Sequence, residues 1–331
     1  MVPSRSSVDR PRSVAGRSPH VVIVIVNWNG LPDTLECLHS IAKIDYDNFR
    51  VVLVDNGSKD GSATGIRAAF PDVHLIEAKS NLGFAEGNNR GIREALDSDF
   101  ILLLNNDTTV DANLLDSLVA EAQSDPLTAA LGPVICYADD PDEIWCAGLR
   151  IGNGSAYGIR LQCTTSILMY NGARVDDLPV EDFDVDAVVG CAMLLRTSVV
   201  KEIGMLDASL FMIHEDFDWS LRARAAGYRC RTKSLPGVWH KVSSSINVLD
   251  NQGERNPFSL YYWYRNWLVV VRKHFGYLRM LSVAAMYLFH LFPRLILQDV
   301  RSSECSLSML SAYFYALKDP LFGTLKIRFL R

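Results

Sequence analysis

Short apolar runs and amphipathic stretches alternate along the first third of the chain. Residues 20–26 (HVVIVIV), 50–54 (RVVLV), 73–76 (VHLI) and 100–104 (FILLL) are too short for helices of any length, and the first, second and fourth run straight into polar, turn-forming groups. After the first run, Leu31, Leu35, Leu38 and Ile41 recur at helical spacing. Further helices are predicted near 60–70, from Asn81 through Ile92 to Leu96, and over 113–123. Four strand and helix alternations without a hairpin signal predict an α/β fold with a mostly parallel, doubly wound sheet. In such a sheet the ligand lies beyond the carboxyl ends of the strands.

Those ends therefore carry the candidate chemistry. The central stretch is FILLLNNDTTV, a buried strand that stops at Asn105, Asn106 and Asp107, where a metal ion or a sugar nucleotide could be held; a loop capping the next helix is the other reading. Asn27 ends the first strand, and Asp55 ends the second, where an acid can accept from a ribose hydroxyl or a base N–H, or simply form an Asp-Asn-Gly turn. Asn81 to Gly83 opens a helix with small residues that expose N–H groups to a phosphate, and Asn88 sits within that helix, facing either inward or solvent. Neither GxGxxG after the first strand nor GxxxxGK[ST] is present, which excludes the usual dinucleotide and P-loop fingerprints.

Farther along, Gly190, Cys191 and Ala192 precede the apolar run Met193 to Leu195, as expected of a strand passing close to a ligand. His214, Glu215, Asp216 and Asp218 open a helix predicted to turn Phe217, Leu221 and Ala225 inward and to end at Gly227. Acids favour a first helical turn for dipole reasons, yet three acids behind a histidine exceed what a cap requires. Trp219 reads as core. Residues 137–185, acidic and glycine-rich by turns, read as loops and short strands flanking an acceptor. From residue 251 the chain is aromatic and basic, and the uncharged segment 280–293 spans fourteen residues, short of the roughly 20 that a membrane-crossing helix needs. A helix lying on a membrane surface, or a helical subdomain packed on the body, is the expectation there.

Charge sharpens the division. The chain of 331 residues has a net charge of −5, but residues 20–253 carry −15, and the ends are basic. An acidic body collects cations and a basic tail meets something anionic; nucleic acid is not an expected partner. Half the residues (49%) are hydrophobic, which excludes a disordered protein. Seven scattered cysteines form no CxxC pair and read as reduced thiols in a cytoplasmic protein. The first nineteen residues have charges but no apolar segment, so a disordered basic lead-in is expected in place of a secretion signal. The predicted organisation is this lead-in at 1–19, a catalytic domain at 20–250 divided near 110, and a helical extension at 251–331.

In order, VIVNWNG, VLVDNGSKDGS, NLGFAEGNNRGI, LLLNNDTTV, GCAMLLRTSVVKEIGMLD and HEDFDWSLRARAAGY resemble the family 2 glycosyltransferases, nearest to rhamnosyltransferase-like and galactofuranosyltransferase-like bacterial members, over residues 20–245. The resemblance implies a nucleotide-sugar-binding sheet domain of the GT-A type, a divalent cation (Mn²⁺ or Mg²⁺) and transfer with inversion at the anomeric carbon. It places Asn27 and Asp55 at the nucleoside, Asn105 to Asp107 at the DxD motif and Glu215-Asp216 at the ED motif, with Asp216 as base and Glu215 second. The first DxD acid is Asn105 here, leaving one carboxylate, so a second metal ligand is expected; His240, in a late segment that supplies a histidine in some relatives, is the candidate, with a hydrogen-bonded loop histidine as the other reading. Imidazole suits Mn²⁺ better than Mg²⁺. The implied donor is a dTDP- or UDP-activated sugar, nearest to L-rhamnose. The implied acceptor is a glycan or lipid-linked glycan of the cell envelope, met at the cytoplasmic face of the inner membrane. A nucleotidyltransferase of similar fold, or a degenerate carbohydrate-binding protein, are the alternatives.

Overall fold

A computed structural model of the chain describes residues 18–156, 159–242, 256–301, 306–323 and 328; the expected lead-in lies outside these up to residue 17. The first half follows the predicted alternation: β1 (Val21–Asn27), α1 (Leu31–Ile41), β2 (Phe49–Asp55), α2 (Ser62–Ala69), β3 (His74–Glu77), α3 (Gly83–Glu94) and β4 (Phe100–Asn105). These four strands pair in parallel in the order β3, β2, β1, β4. The central strands read as unbroken apolar runs because both their faces are covered. In β1, Val21, Ile23 and Ile25 pack with Leu38 and Leu115 on one side, while Val22 and Val24 pack with Ala85 and Ile92 on the other. Gly91 lets α3 lie against β1, since a Cβ there would come within 2.2 Å of Val24.

The second half contributes β5 (Thr108–Val110), α4 (Leu114–Ser124), β6 (Thr128–Tyr137), β7 (Ile144–Cys146), the antiparallel hairpin β8 (Leu149–Ala156) and β9 (Ile159–Leu168), then β10 (Phe183–Asp184), β11 (Ala192–Arg196), α5 (Thr197–Ile203), α6 (Glu215–Ala225) and β12 (Arg229–His240). The hairpin occupies the glycine-rich stretch where loops and short strands are expected, with strands longer than that expectation. β11 enters the sheet antiparallel between β4 and β6, and β12 runs parallel to β6, so the doubly wound sheet is mixed in this half. Two juxtapositions follow. The turn before β11 is brought to the end of β4, where Asn105 N–H donates to the Cys191 carbonyl at 2.9 Å. The end of β12 pairs with β5, bringing His240 opposite Thr108.

α7 (Pro257–Phe275) begins at Asn256, whose side chain accepts from the Phe258 N–H at 3.0 Å, and Gly276 at φ 90° ends it. α8 (Tyr277–Met286), a single π-helical turn and α9 (Phe292–Arg301) continue as one helical run, followed by α10 (Leu307–Leu321). Their aromatic faces pack with Phe211, Phe217 and Leu221 of the sheet domain in one cluster. The run Tyr277–Arg301 is 25 residues long with a mean hydropathy of 1.6 over its most apolar 18 residues. This corrects the fourteen-residue expectation: Arg279 and Arg294 interrupt the apolar sequence without ending the helix. By length and composition it could cross a membrane, although Met280, Val283, Tyr287 and Phe292 on it are buried in the protein.

Candidate active site

Two polar clusters form where β1, β2, β4 and β12 end. The first is closed on itself. Asn27 is fully buried; its amide donates to Asp55 Oδ1 (2.8 Å) and Ser58 Oγ (3.1 Å), and its carbonyl accepts from Thr34 Oγ1 (2.9 Å) and the Gly30 N–H (3.2 Å). Asn106 joins from β4, its amide 3.0 Å from Thr34 Oγ1. Asn56 links this group to the start of α3: its carbonyl accepts from Leu82 N–H (3.0 Å) and its amide donates to the Gly83 carbonyl (3.0 Å) and Asn81 Oδ1 (3.2 Å). Asn81 in turn accepts the Gly83 N–H at 2.8 Å, and the Phe211 carbonyl takes the Ala85 N–H at 3.0 Å. Of the amides expected to face a phosphate at Asn81 to Gly83, those of Leu82 and Gly83 are thus already engaged within the protein. Asn88 is buried and donates to its own helix, to the Phe84 carbonyl at 2.9 Å.

The second cluster lines a cavity of about 320 Å³. On one wall lie Asn105, Asp107 and His240; on another, His214, Glu215 and Asp216; Trp145, Leu168, Met212 and Trp263 supply apolar surface between them. Asp107 and His240 are both buried, with Oδ1 and Nε2 3.1 Å apart, and the Trp145 ring meets His240 edge-on at 4.5 Å. Among the described residues, His240 Nδ1 and Asn105 Oδ1 are buried without a partner. A carboxylate, an imidazole and an amide oxygen with spare lone pairs are a donor set that fits Mn²⁺, whose remaining positions phosphate and water would fill. Among the described residues no group of three or more His, Cys, Asp or Glu converges on a metal site. Asn106 faces the closed cluster and is separated from Asn105 and Asp107.

Asp216 is half-buried at the cavity wall, Oδ2 accepting from the Gly190 N–H (2.7 Å) and Oδ1 from its neighbour's Phe217 N–H (2.6 Å). Burial raises its proton affinity, against the pull of those two N–H groups. Glu215 is buried, its Oε2 without a partner among the described residues, and burial together with the Asp216 charge raises its carboxyl well above the ordinary range. His214 is pushed down to about 3 by burial and is a neutral imidazole, its ring about 5 Å from those of Trp263 and Trp267 and its Nε2 without a partner among the described residues. The wall thus offers one oriented carboxylate able to take a proton, beside a second carboxyl of raised proton affinity and a neutral imidazole.

Of the residues expected from the sequence, the fold brings Asn105, Asp107, Glu215, Asp216 and His240 to this cavity and gathers Asn27, Asp55, Asn81, Gly83 and Asn106 beside it. Gly190 and Cys191, just before β11, also line it. In α6 the inward residues are Phe217, Leu221 and Ala223; Ala225 is exposed, because the helix turns its buried face through 217, 219, 221 and 223 against both sheet and extension. Trp219 is fully buried and donates to the Gly204 carbonyl at 2.9 Å. The sequence reading missed Trp145 and Trp263, one in the unreadable acidic stretch and one hidden in the aromatic run YYWY. Cys37, Cys136, Cys146, Cys191 and Cys230 are buried free thiols; Cys305 lies outside the described residues, as does the side chain of Cys163.

Comparison with known proteins gives the family and the fold. The family model for glycosyl transferase family 2 matches residues 22–204. The N-acetylglucosaminyl-diphospho-decaprenol L-rhamnosyltransferase of Mycobacterium tuberculosis is 26% identical over 238 residues, 67% of this chain and 76% of that protein. The low-salt glycan biosynthesis hexosyltransferase Agl10 of Haloferax volcanii is 26% identical over 209 residues, 61% of each. In fold, the chain is similar to the mannosyltransferase PcManGT of Pyrobaculum calidifontis in complex with GDP-Man and Mn²⁺, with a TM-score of 0.55 and 14% identity, covering 95% of this chain and 91% of that one. TarS 1-349 of S. aureus in complex with UDP-GlcNAc gives a TM-score of 0.55 at 17% identity, covering 92% and 81%.

Proposed function

From the premise that this chain belongs to glycosyl transferase family 2 and is a glycosyltransferase, we propose that it transfers a hexose with inversion from a dTDP- or UDP-activated donor, L-rhamnose first among candidates, to a glycan or lipid-linked acceptor of cell-envelope polysaccharide. The nucleotidyltransferase alternative gives way to the family match. The observation that carries the reading is the single cavity with the Asp107–His240 pair on one wall and Asp216 on another. Asp107 and His240, with Asn105 beside them, would hold Mn²⁺ or Mg²⁺, which when bound supplies positive charge for a leaving diphosphate. Asp216, its lone pairs aimed by Gly190 and Phe217, accepts the proton of the attacking hydroxyl; one base on the face opposite the leaving group is what inversion requires. Glu215, with its raised proton affinity, donates to or orients the acceptor. Asn27 and Asp55 shape the nucleoside side, with Asn81, Gly83, Asn88 and Asn106 holding the turns around it. The rhamnose and lipid-linked parts are supported by the name of the mycobacterial relative.

Contact with a membrane surface is part of the same reading. Leu278, Leu281, Leu288, Phe289, Leu297 and Val300 are exposed along one helical run, with Arg294 and Arg301 exposed beside them. That combination suits a cytoplasmic membrane face bearing anionic lipid. The deciding experiment is a thermal-shift panel with UDP, dTDP, GDP and CMP, each with and without Mn²⁺, repeated on Asp107→Ala, followed by turnover of the matching nucleotide sugar. One diphosphate that stabilises only with metal and only when Asp107 is present supports the reading. No stabilisation by any of them defeats it and favours a degenerate carbohydrate-binding protein. Failure to float with vesicles of one-third anionic lipid at low salt removes the membrane part alone.

A further inference from the structure

The segment that delivers Glu215 and Asp216 has a backbone its residues do not favour. Phe211 (φ 66°, ψ −62°), Ile213 (φ 69°) and His214 (φ 72°, ψ 5°) all lie at positive φ, and none is glycine. Phe211 is the centre of a three-residue turn closed by the Met212 N–H on the Leu210 carbonyl at 2.8 Å, a rare and strained conformation for an L-residue. The 3₁₀ turn Ala208–Leu210 accepts the Phe211 N–H at 3.1 Å, but the carbonyls from Ser209 to Ile213 draw hydrogen bonds from elsewhere.

Two adjacent side chains of α7 supply them. Asn266, fully buried, has its amide nitrogen within hydrogen-bond distance of the carbonyls of Leu210 (2.8 Å), Met212 (2.6 Å) and Ile213 (2.7 Å). Arg265, also buried, donates to the Ser209 carbonyl at 2.9 Å and to the Asn266 carbonyl, which orients that amide. The remaining carbonyl, Phe211, accepts the Ala85 N–H of α3 at 3.0 Å, and Gly83 has no Cβ because one would meet that oxygen at 2.5 Å. Every carbonyl from 209 to 213 is therefore held from outside the segment. Two turns farther along α7, Lys273 and His274 reach Asp218 at 2.9 and 2.8 Å, so the helix grips the chain on both sides of the carboxylate pair.

We propose that Asn266 is a positioning residue for glycosyl transfer: its amide, set by Arg265, holds residues 210–213 in the strained path that turns Glu215 and Asp216 into the cavity, which makes the C-terminal extension part of the active-site architecture. This rests on the reading that those carboxylates do the chemistry. The packing alternative is that Asn266 only fills a polar hole in the core.

Asn266→Ala and Asn266→Asp separate the two, since the second keeps the shape and loses the N–H donors. Amide hydrogen exchange on the full chain, well below the melting temperature, should show at least tenfold faster exchange in 208–217 and at Ala85 in both variants, with β1 to β4 unchanged. Turnover, measured with whichever of dTDP-rhamnose, UDP-GlcNAc and GDP-mannose the wild type consumes, should fall 10- to 100-fold with donor KM within threefold. The acid limb of the kcat profile should move to lower pH as Asp216 becomes better solvated. Unchanged exchange in 208–217, or turnover and donor affinity falling together with the folded fraction, overturns the proposal. If both variants fail to fold, Arg265→Lys, which loses the fork but keeps the charge, should show the same pattern at smaller amplitude, and wild-type behaviour there overturns it equally. Asp216→Asn is run alongside: if it retains wild-type turnover, the reading of the carboxylates fails while the exchange result still decides what Asn266 holds.

Discussion

Around Asn27 the polar side chains at the strand ends satisfy one another; in the cavity that Asp216 lines, four buried polar atoms, on Asn105, His214, Glu215 and His240, find no partner among the described residues. A closed network gives rigidity to the turns that carry it and loses stability when any member is removed. An open set of buried polar atoms costs stability as it stands and is retained where a ligand completes it. On the proposed reading the two regions do different work: the first shapes a surface, the second meets the reacting groups. It also says where mutations should be felt, in stability on one side and in turnover or ligand binding on the other.

The largest expected effect tests the open side. Asp216→Asn should lower turnover by about 10² to 10⁴, the usual contribution of a positioned base, while unfolding free energy stays within about 1 kcal/mol of wild type and donor binding is kept. Equal turnover in a folded variant would remove Asp216 from the chemistry. Next, Asp107→Ala should abolish the metal-dependent part of nucleotide stabilisation, which for a ligand at one hundred times its dissociation constant is about 2.7 kcal/mol. A metal-dependent shift that survives the substitution would place the ion elsewhere. Asn27→Ala works on the closed side: it strands Asp55 and Thr34 and should cost about 1 to 3 kcal/mol by chemical denaturation. If instead it leaves stability intact and only weakens nucleotide binding, the two regions do not differ as described.

How these regions could be read from sequence follows from the same contrast. β1 and β4 were legible because burial on both faces leaves an unbroken apolar run, and Asn27, Asp55 and Asp107 were legible because a polar residue ending such a run has few structural reasons to be there. The insertion of β11 antiparallel beside β4 was not legible, since AMLLR looks the same in either direction and its place is decided by long-range pairing. Glu215 and Asp216 stand out as acids, but the cause of their orientation lies at Asn266, some fifty residues on in a helix that reads from sequence as a basic aromatic tail. Trp145 and Trp263 were hidden for a related reason: a tryptophan shows its exposure only when the elements around it are placed.

The smallest expected effect is a pH dependence with a definite sign. His214 is held neutral in the fold, pushed down to about 3 by burial, whereas in the unfolded chain it titrates near 6.5. Between those values the unfolded state binds the additional proton, so the stability this histidine contributes is fully present above about pH 6.5 and is lost as pH falls toward 3, by about 1.4 kcal/mol per unit in the steep part. Glu215 acts in the opposite sense: its raised proton affinity favours the fold at low pH and disfavours it as pH rises above the ordinary carboxyl range, so the wild-type slope alone blends the two. His214→Asn separates them, because asparagine tolerates the left-handed backbone at this position and does not titrate. Urea unfolding at pH 7, 6 and 5 should therefore show the wild type losing about 1 kcal/mol more than the variant between pH 6 and 5. Parallel pH dependences would mean that the imidazole is already solvated in the free enzyme, which would undo the contrast between a closed cluster and an open one.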